Sequence, residues 1–153
     1  MILEFDPEKA LVMGRIIGID VGQKRIGLAV TDPLRLFATG LDTVPSGKIF
    51  SYLDEYVKKE KVDLFVVGSP LTMNNQPSES VKYVEPFVRK LEKTFDPIPV
   101  KRIDERFTSK IAKQVIIESG TRKEARRNKA TVDKISAVII LQSFLDQENS
   151  FNK

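Results

Sequence analysis

The apolar positions in the first third of the chain have the period of β-strands. Residues 16–21 form a β-branched run, and residues 26–30 alternate apolar and smaller side chains after a tight turn that contains Gly22. A third strand is predicted over residues 37–44, before a Pro-Ser-Gly sequence. Three strands with short connections predict an antiparallel meander.

From residue 49 onwards, helical and strand periods alternate. The predicted elements are a helix over residues 49–57, a buried strand over 62–67, a helix over 81–95, a strand over 98–103, a helix capped by Thr108 or Ser109 and closed by Gly120, and a final helix over 131–145. Pro86 lies inside the apolar stripe of the second of these helices, so we expect it to kink or split that helix. The final helix is apolar on nearly every side, which predicts a covered position.

The element order is therefore β-β-β-α-β-α-β-α-α. A meander followed by parallel crossovers is the arrangement of the ribonuclease H-like fold, an α/β fold. Its mixed sheet combines a three-stranded antiparallel meander with parallel strands and carries helices on both faces. We expect one domain over residues 14–146 between an N-terminal tail (1–13) and a C-terminal tail (147–153), and a second methionine, Met13, leaves the start open between Met1 and Met13.

Composition narrows the chemistry that this domain can perform. The 153 residues include no cysteine and no histidine, which excludes disulfides, thiolate nucleophiles and histidine bases or ligands. Polar chemistry must come from carboxylates, hydroxyls, Lys, Arg or a hard metal ion bound by oxygens. The net charge of +4 is weak evidence for polyanionic partners. No apolar run reaches the length of about 18 residues that spans a membrane, and no signal peptide is visible, so we expect a cytoplasmic protein.

Acidic residues stand at the ends of two predicted strands and at the start of the final helix: Asp20, the pair Asp104 and Glu105, and Asp133. Oxygen ligands suit Mg²⁺ or Mn²⁺, and a metal-dependent nuclease needs no histidine. Neighbours on a strand face opposite sides, so only one of Asp104 and Glu105 is expected to be a direct ligand, and we favour Glu105. The alternative is that each acid is an ordinary terminal carboxylate, which is strongest for Asp133 because the helix dipole favours an acid there.

A basic segment before Asp133 is the second candidate feature. It contains five cations and one acid, the cations being Arg122, Lys123, Arg126, Arg127 and Lys129. Beside a metal site it would clamp a phosphate backbone, whereas a solvated surface loop is an equally good explanation of the charges alone. Arg25 and Arg106 flank the proposed carboxylates, and either could hold a carboxylate in place or contact a phosphate.

Four motifs, in order, resemble the YqgF/RuvX family. They are Asp20-Val21-Gly22-x-x-Arg25-Ile26-Gly27-x-Ala29, Gly68-Ser69-Pro70-Leu71, Asp104-Glu105-Arg106-Phe107-Thr108-Ser109 and Lys129-x-x-x-Asp133-x-x-x-Ala137-x-x-x-Leu141-Gln142. The resemblance implies a bacterial ribonuclease H-like hydrolase that depends on Mg²⁺ or Mn²⁺ and acts in ribosome biogenesis. The family is described both as Holliday junction resolvases and as the nuclease that matures the 5′ end of pre-16S rRNA. By motif, it implies an acidic site at Asp20, the Asp104-Glu105 pair and Asp133.

One departure from related resolvases affects the site. Those proteins place an acid at the end of the fourth strand, where this chain has Gly68-Ser69-Pro70. The second ligand must then come from Asp104 or Glu105.

The leading hypothesis is a metal-dependent endonuclease that acts on structured RNA. In it, Asp20, Glu105 and Asp133 bind the metal, and residues 122–129 hold the nucleic acid. The alternatives are a Holliday junction resolvase acting on DNA, a non-catalytic RNA- or transcription-associated binding factor, and an ATPase phosphate loop at residues 17–22. Gly22 and Gly27 are expected to leave room for a phosphate backbone near Asp20. The sequence does not decide whether the protein is a monomer or a homodimer.

Overall fold

The computed structural model describes residues 14–69, 81–104 and 129–151. The strands are β1 (Arg15–Val21), β2 (Arg25–Thr31), β3 (Ala38–Pro45), β4 (Val62–Ser69) and β5 (Val100–Asp104). The helices are α1 (Ile49–Lys59), α2 (Val81–Thr94) and α3 (Lys129–Phe151), with a 3-10 turn (Ser46–Lys48) before α1. The helix predicted between Thr108 and Gly120 lies outside the described residues.

The described strands form one mixed sheet in the order β3-β2-β1-β4-β5. β1 and β2 pair antiparallel, as do β2 and β3, which confirms the predicted meander. β1 and β4 pair in parallel, as do β4 and β5, which confirms the predicted crossovers. The carboxyl ends of β1, β4 and β5 therefore meet at one end of the sheet. Asp20 is the next-to-last residue of β1, and Asp104 is the last residue of β5.

Side chains that alternate along the strands produce a hydrophobic layer on each face of the sheet. One layer contains Ile17, Ile19 and Phe65 and packs against α1 and α2. The other contains Ile16 and Val66 and packs against α3. The prediction of helices on both faces is confirmed, and the apolar area removed from water in these two layers is the main stabilising contribution to the fold.

The backbone of α3 lies directly on the strands, without a layer of side chains between them at two points. A Cβ atom at Gly18 of β1 would lie 2.7 Å from the Cβ of Leu141 and 3.1 Å from the carbonyl oxygen of Ala137. A Cβ at Gly27 of β2 would overlap the carbonyl oxygen of Asp133. The two glycines therefore set how closely α3 approaches the sheet.

Two helices differ from the sequence prediction. α2 is a single helix through Pro86, so Pro86 does not split it, and the alternative of a kink stays a prediction. Pro86 lies only one turn into the helix, where its missing N–H removes one hydrogen bond, and the buried residues Val84, Phe87 and Leu91 pack on both sides of it. α3 continues to Phe151, beyond the predicted end at residue 145 and through part of the segment assigned to a tail. Ile135 and Ile139 are half-buried, so α3 is covered less evenly than its composition predicts.

Candidate active site

Asp20 is the sixth residue of β1 and lies on the face of the sheet that packs against α3. Gly18 contacts α3, and residues two apart on a strand share a face. In the β1–β2 ladder, Asp20 pairs with Gly27, whose Cβ direction points at α3. Directly opposed residues also share a face, so both lines of evidence place the half-buried Asp20 beneath the start of α3.

Asp133 lies on α3 immediately above this position. Its carbonyl oxygen is against Gly27, and Gly27 is the direct partner of Asp20 across the ladder. α3 begins at Lys129, so Asp133 lies beyond the first turn, which contains no acid. Because the helix dipole favours acids mainly within the first turn, it does not explain the position of Asp133. The structure brings Asp20 and Asp133 to one end of the sheet, and their role as metal ligands stays a prediction.

Arg25 forms an ion pair with Asp133. Its Nε atom lies 3.2 Å from Oδ2 of Asp133, with 39% of the arginine side chain and 27% of the aspartate side chain exposed. The sequence left two roles open for this arginine, and in the structure it holds a carboxylate. Sequence reasoning missed this particular pair because its members are 108 residues apart.

The space at Gly27 is used differently from the prediction. The backbone of α3 fills the position that a side chain at Gly27 would take, so the expectation that Gly27 leaves room for a phosphate is wrong. At Gly22, a Cβ would overlap the carbonyl oxygen of Arg25 across the hairpin turn, while the Gly22 N–H donates to that oxygen at 3.0 Å. Both glycines permit close approach of backbone to backbone. Arg25, Gly27 and Ala29 are two residues apart on β2 and share one face, which for Ala29 is the face towards α3. This alternation is the sequence signal that could have indicated the contact.

The remaining predicted residues lie mostly outside the described structure. Asp104 is the last residue of β5, and its backbone is in register with Ser69. Glu105, Arg106, Arg122, Lys123, Arg126 and Arg127 lie beyond the described residues, and of Lys129 only the backbone position at the start of α3 is described. Within residues 14–69, 81–104 and 129–151, no three Asp or Glu side chains stand close enough to hold a metal.

Side chains of β5 show which parity faces α3. The ammonium of Lys101 lies 5.5 Å from the ring centre of Phe144 on α3, and Ile103 belongs to the hydrophobic layer beneath α3. Arg102 faces the other way and binds Glu85 of α2 at 2.9 Å. On β5, odd-numbered residues therefore share a face with Asp20.

Of the described helices, none combines the length and the hydropathy that crossing a bilayer requires.

Solved structures with similar architecture include two proteins in complex with Holliday junctions. The Thermus thermophilus RuvC structure in complex with a Holliday junction substrate has a TM-score of 0.54 and 17% identity, covering 90% of this chain and 97% of its own. The fowlpox virus resolvase in complex with Holliday junction DNA has a TM-score of 0.54 and 12% identity, covering 88% and 98%. Identities this low show the fold alone, and they agree with the ribonuclease H-like sheet described above.

Sequence relatives are much closer. A Parabacteroides distasonis protein with the name "Putative pre-16S rRNA nuclease" is 54% identical over 136 residues, which cover 89% of this chain and 97% of the relative. A Flavobacterium psychrophilum protein of the same name is 46% identical over 136 residues, covering 89% and 99%. The family model described as "RuvX: Holliday junction resolvase" matches residues 14–147. With a family match over nearly the whole described structure and relatives at about half identity, this chain belongs to the RuvX family.

Proposed function

We propose that this protein is a metal-dependent endonuclease that hydrolyses phosphodiester bonds in structured nucleic acid, and that its substrate is the 5′ end of a pre-16S rRNA. The observation that carries the proposal is the placement of Asp20 and Asp133 together at one end of the sheet by the seating of α3 on Gly27. The names of the close relatives support the choice of RNA. Such a substrate would place the protein in the cytoplasm.

The carboxylates at this end of the sheet fit a hard divalent ion. Mg²⁺ and Mn²⁺ bind carboxylate oxygens, and one oxygen of Asp133 already lies against a cationic side chain, that of Arg25. Asp20 and Asp133 would hold the ion, together with a carboxylate from the segment that follows β5. When bound, the ion would activate the attacking water and stabilise the leaving oxygen.

Glu105 is our choice for the third ligand, with Asp104 supporting it. Glu105 has the parity of Lys101 and Ile103, the β5 residues that face α3 and share the face of Asp20. Asp104 has the parity of Arg102, which faces α2. If the alternation of β5 continued by one residue, Glu105 would lie on the face of Asp20 and Asp104 on the other, in agreement with the preference for Glu105.

The basic residues have a separate role in this proposal. Arg106 and the segment with Arg122, Lys123, Arg126, Arg127 and Lys129 would bind the phosphate backbone on either side of the scissile bond. Guanidinium groups suit this role because their fork of donors matches phosphate oxygens. The binding would be independent of base sequence, so RNA secondary structure would select the cleavage site.

Resolution of Holliday junctions is the second candidate, favoured by the description of the family model. A side-by-side assay with Mn²⁺, on a pre-16S rRNA fragment and on a four-way DNA junction, separates the two. We expect cleavage of the RNA at least tenfold faster than of the junction. Faster cleavage of the junction would favour the resolvase, and binding without product under any metal would favour a binding factor.

Asp20→Asn tests the site directly. We expect this variant to lose Mn²⁺-dependent cleavage by a factor of at least about 100, because an amide is a poor ligand for a hard cation and carries no charge. Its melting temperature should change little, since the two side chains have the same shape. Asp54→Asn is the matched control, because Asp54 is an exposed carboxylate on α1, on the opposite face of the sheet, paired with Lys58 at 2.9 Å. Cleavage retained in Asp20→Asn would reject the assignment.

A further inference from the structure

Arg25 occupies an unusual position for a residue that would bind nucleic acid. It is the first residue of β2, two positions before Gly27, and its side chain reaches α3 on the same face as Asp20. The sequence motif does not distinguish a phosphate contact from a carboxylate contact. The structure shows the carboxylate contact, through Nε to Oδ2 of Asp133 at 3.2 Å.

Both ends of this ion pair are fixed by backbone packing. The carbonyl oxygen of Arg25 accepts a hydrogen bond from the Gly22 N–H at 3.0 Å, and its Cα pairs with Pro45 in the β2–β3 ladder. On the other side, the backbone of Asp133 is pressed against Gly27. Neither partner can move away as a whole, so a rearrangement of this pair has to occur by rotation of the side chains.

The contact uses only part of the guanidinium group. Within the described residues, the hydrogen bond from Arg25 to Asp133 is made by Nε, and the two terminal nitrogens take no part in that bond. A guanidinium binds phosphate through pairs of such nitrogens. Arg25 is therefore able to exchange one anionic partner for another without a change of backbone position.

Electrostatics gives a reason for such an exchange. Two carboxylates at one end of a sheet repel each other, and a cation beside Asp133 offsets that repulsion. A divalent ion bound by the same oxygen would offset it more strongly and would repel the guanidinium. An ion bound at Oδ2 of Asp133 would therefore compete with the guanidinium for that oxygen.

We propose that Arg25 is an exchange residue of this site. Its guanidinium holds the Asp133 carboxylate while no metal is bound, releases it when a divalent ion binds, and then contacts a phosphate of the substrate. The inference rests on the proposed function for the last step, whereas the first two steps concern the protein and the ion alone. Arg25 thus links metal binding to substrate binding.

The proposal predicts opposite effects of one substitution on two measurements. In Arg25→Gln, the competitor for Asp133 is gone, so Mn²⁺ should bind about two- to fivefold more tightly, the range expected for a partly exposed ion pair. Cleavage should fall at least about tenfold in kcat/KM, because a charged phosphate contact is lost. A residue that only props up Asp133 would instead weaken Mn²⁺ binding when removed.

The test is a titration of Mn²⁺ into the full chain without substrate, with free Mn²⁺ followed by electron paramagnetic resonance. Arg25→Lys should bind Mn²⁺ like the wild type and recover part of the cleavage, because it keeps the charge. Arg15→Gln is the matched control. Arg15 also begins a strand and pairs through Nε with a carboxylate, Glu60 at 3.4 Å, but lies at the other end of the sheet. It should leave both measurements unchanged.

A second measurement keeps the test independent of the variants' stability. In wild-type protein, the Nε–Hε resonance of Arg25 should shift when Mg²⁺ is added, because its carboxylate partner is replaced. An unshifted resonance at saturating Mg²⁺, or equal or weaker Mn²⁺ binding by a folded Arg25→Gln variant, overturns the proposal. Wild-type protein that binds Mn²⁺ but cleaves no nucleic acid would count against the proposed nuclease function, and the titration would still decide the exchange between Arg25 and the metal.

Discussion

Two aspartates of this protein show two different uses of a carboxylate. Asp32 fixes a loop: its carboxylate accepts backbone N–H bonds from Leu34 at 3.2 Å, Leu36 at 2.8 Å and Phe37 at 2.7 Å. The bond from Phe37 contributes most to lowering the pKa of Asp32 below its usual value. Asp133, in contrast, is paired with a guanidinium that a metal ion could replace.

The bonds to Asp32 predict a pH-dependent contribution to stability. The folded-state pKa is lower than the unfolded value, so the contribution is full above the unfolded pKa of about 3.8 and is lost as the pH falls through the folded pKa. Asp32→Ala should therefore be less stable than the wild type at pH 7, and the difference should shrink below about pH 4.

Urea midpoints at pH 7 and pH 3 measure this difference. Asp54→Ala serves as the control, because an exposed carboxylate in a single ion pair with Lys58 should matter little at either pH. An Asp32→Ala variant with the same loss of stability at both pH values would show that the loop, and not the ionised carboxylate, accounts for the effect.

Asp20 and Asp133 could be found from the sequence because each interrupts an apolar pattern. The pairing of Asp133 with Arg25 could not, because it depends on where α3 crosses β2, a contact between residues 108 positions apart. The role of Gly27 was assigned wrongly for the same reason. A glycine indicates that something approaches closely, and only the packing shows that the approaching group is the backbone of α3.

The seating of α3 on the sheet is the element-level feature on which the site depends. Gly27→Ala should force α3 away from β2, since the added Cβ would overlap the carbonyl of Asp133. We expect a loss of stability of about 1–3 kcal/mol, as for other overpacked positions. Cleavage should be lost as well, because Asp133 moves with the helix.

Two further glycines provide the controls for this prediction. Gly18→Ala should also be destabilising, through Leu141 and Ala137, but two turns of α3 separate Leu141 from Asp133. A Cβ at Gly47 meets no atom within 4 Å, so Gly47→Ala should leave both properties nearly unchanged. Thermal melting and Mn²⁺-dependent cleavage together check this. Gly27→Ala should lose more cleavage than Gly18→Ala for the same loss of stability. If the two variants lost cleavage in the same proportion to their loss of stability, a specific role for Gly27 would be contradicted.

The elements themselves were largely predictable, and their ends were not. Periodicity located the described strands and helices because burial of one face dictates the pattern. The end of α3 was misplaced because residues 146–151 are mostly polar, and polarity indicates exposure and not the loss of helix. Gln142 Nε2 donates to Asp146 at 3.0 Å, and Lys101 lies 3.9 Å from Glu148, so side-chain contacts accompany this last part of the helix.

For the whole molecule, the net charge of +4 is consistent with a polyanionic substrate, and its effect depends on where the cations lie. We expect replacement of the basic segment by glutamine to weaken nucleic-acid binding and to make the salt dependence shallower, by up to about four units in the slope of log K against log[salt]. The four substituted positions are Arg122, Lys123, Arg126 and Arg127.

A variant with the same charge change elsewhere separates local from global electrostatics. Four exposed lysines outside the proposed site can be replaced by glutamine: Lys48, Lys58, Lys59 and Lys93. Filter binding over a range of salt concentrations should show a much smaller change in slope for this variant. Equal slopes for the two variants would mean that net charge alone attracts the nucleic acid.

In the function proposed here, Asp20 and Asp133 form one metal site with a carboxylate from the segment after β5. Anomalous diffraction from a crystal soaked in Mn²⁺ tests it most directly. We expect a Mn²⁺ peak bound by Asp20, Asp133 and Glu105, or by Asp104 in place of Glu105. A Mn²⁺ ion bound elsewhere, or no ion at Asp20 and Asp133 at a concentration that supports cleavage, would contradict it.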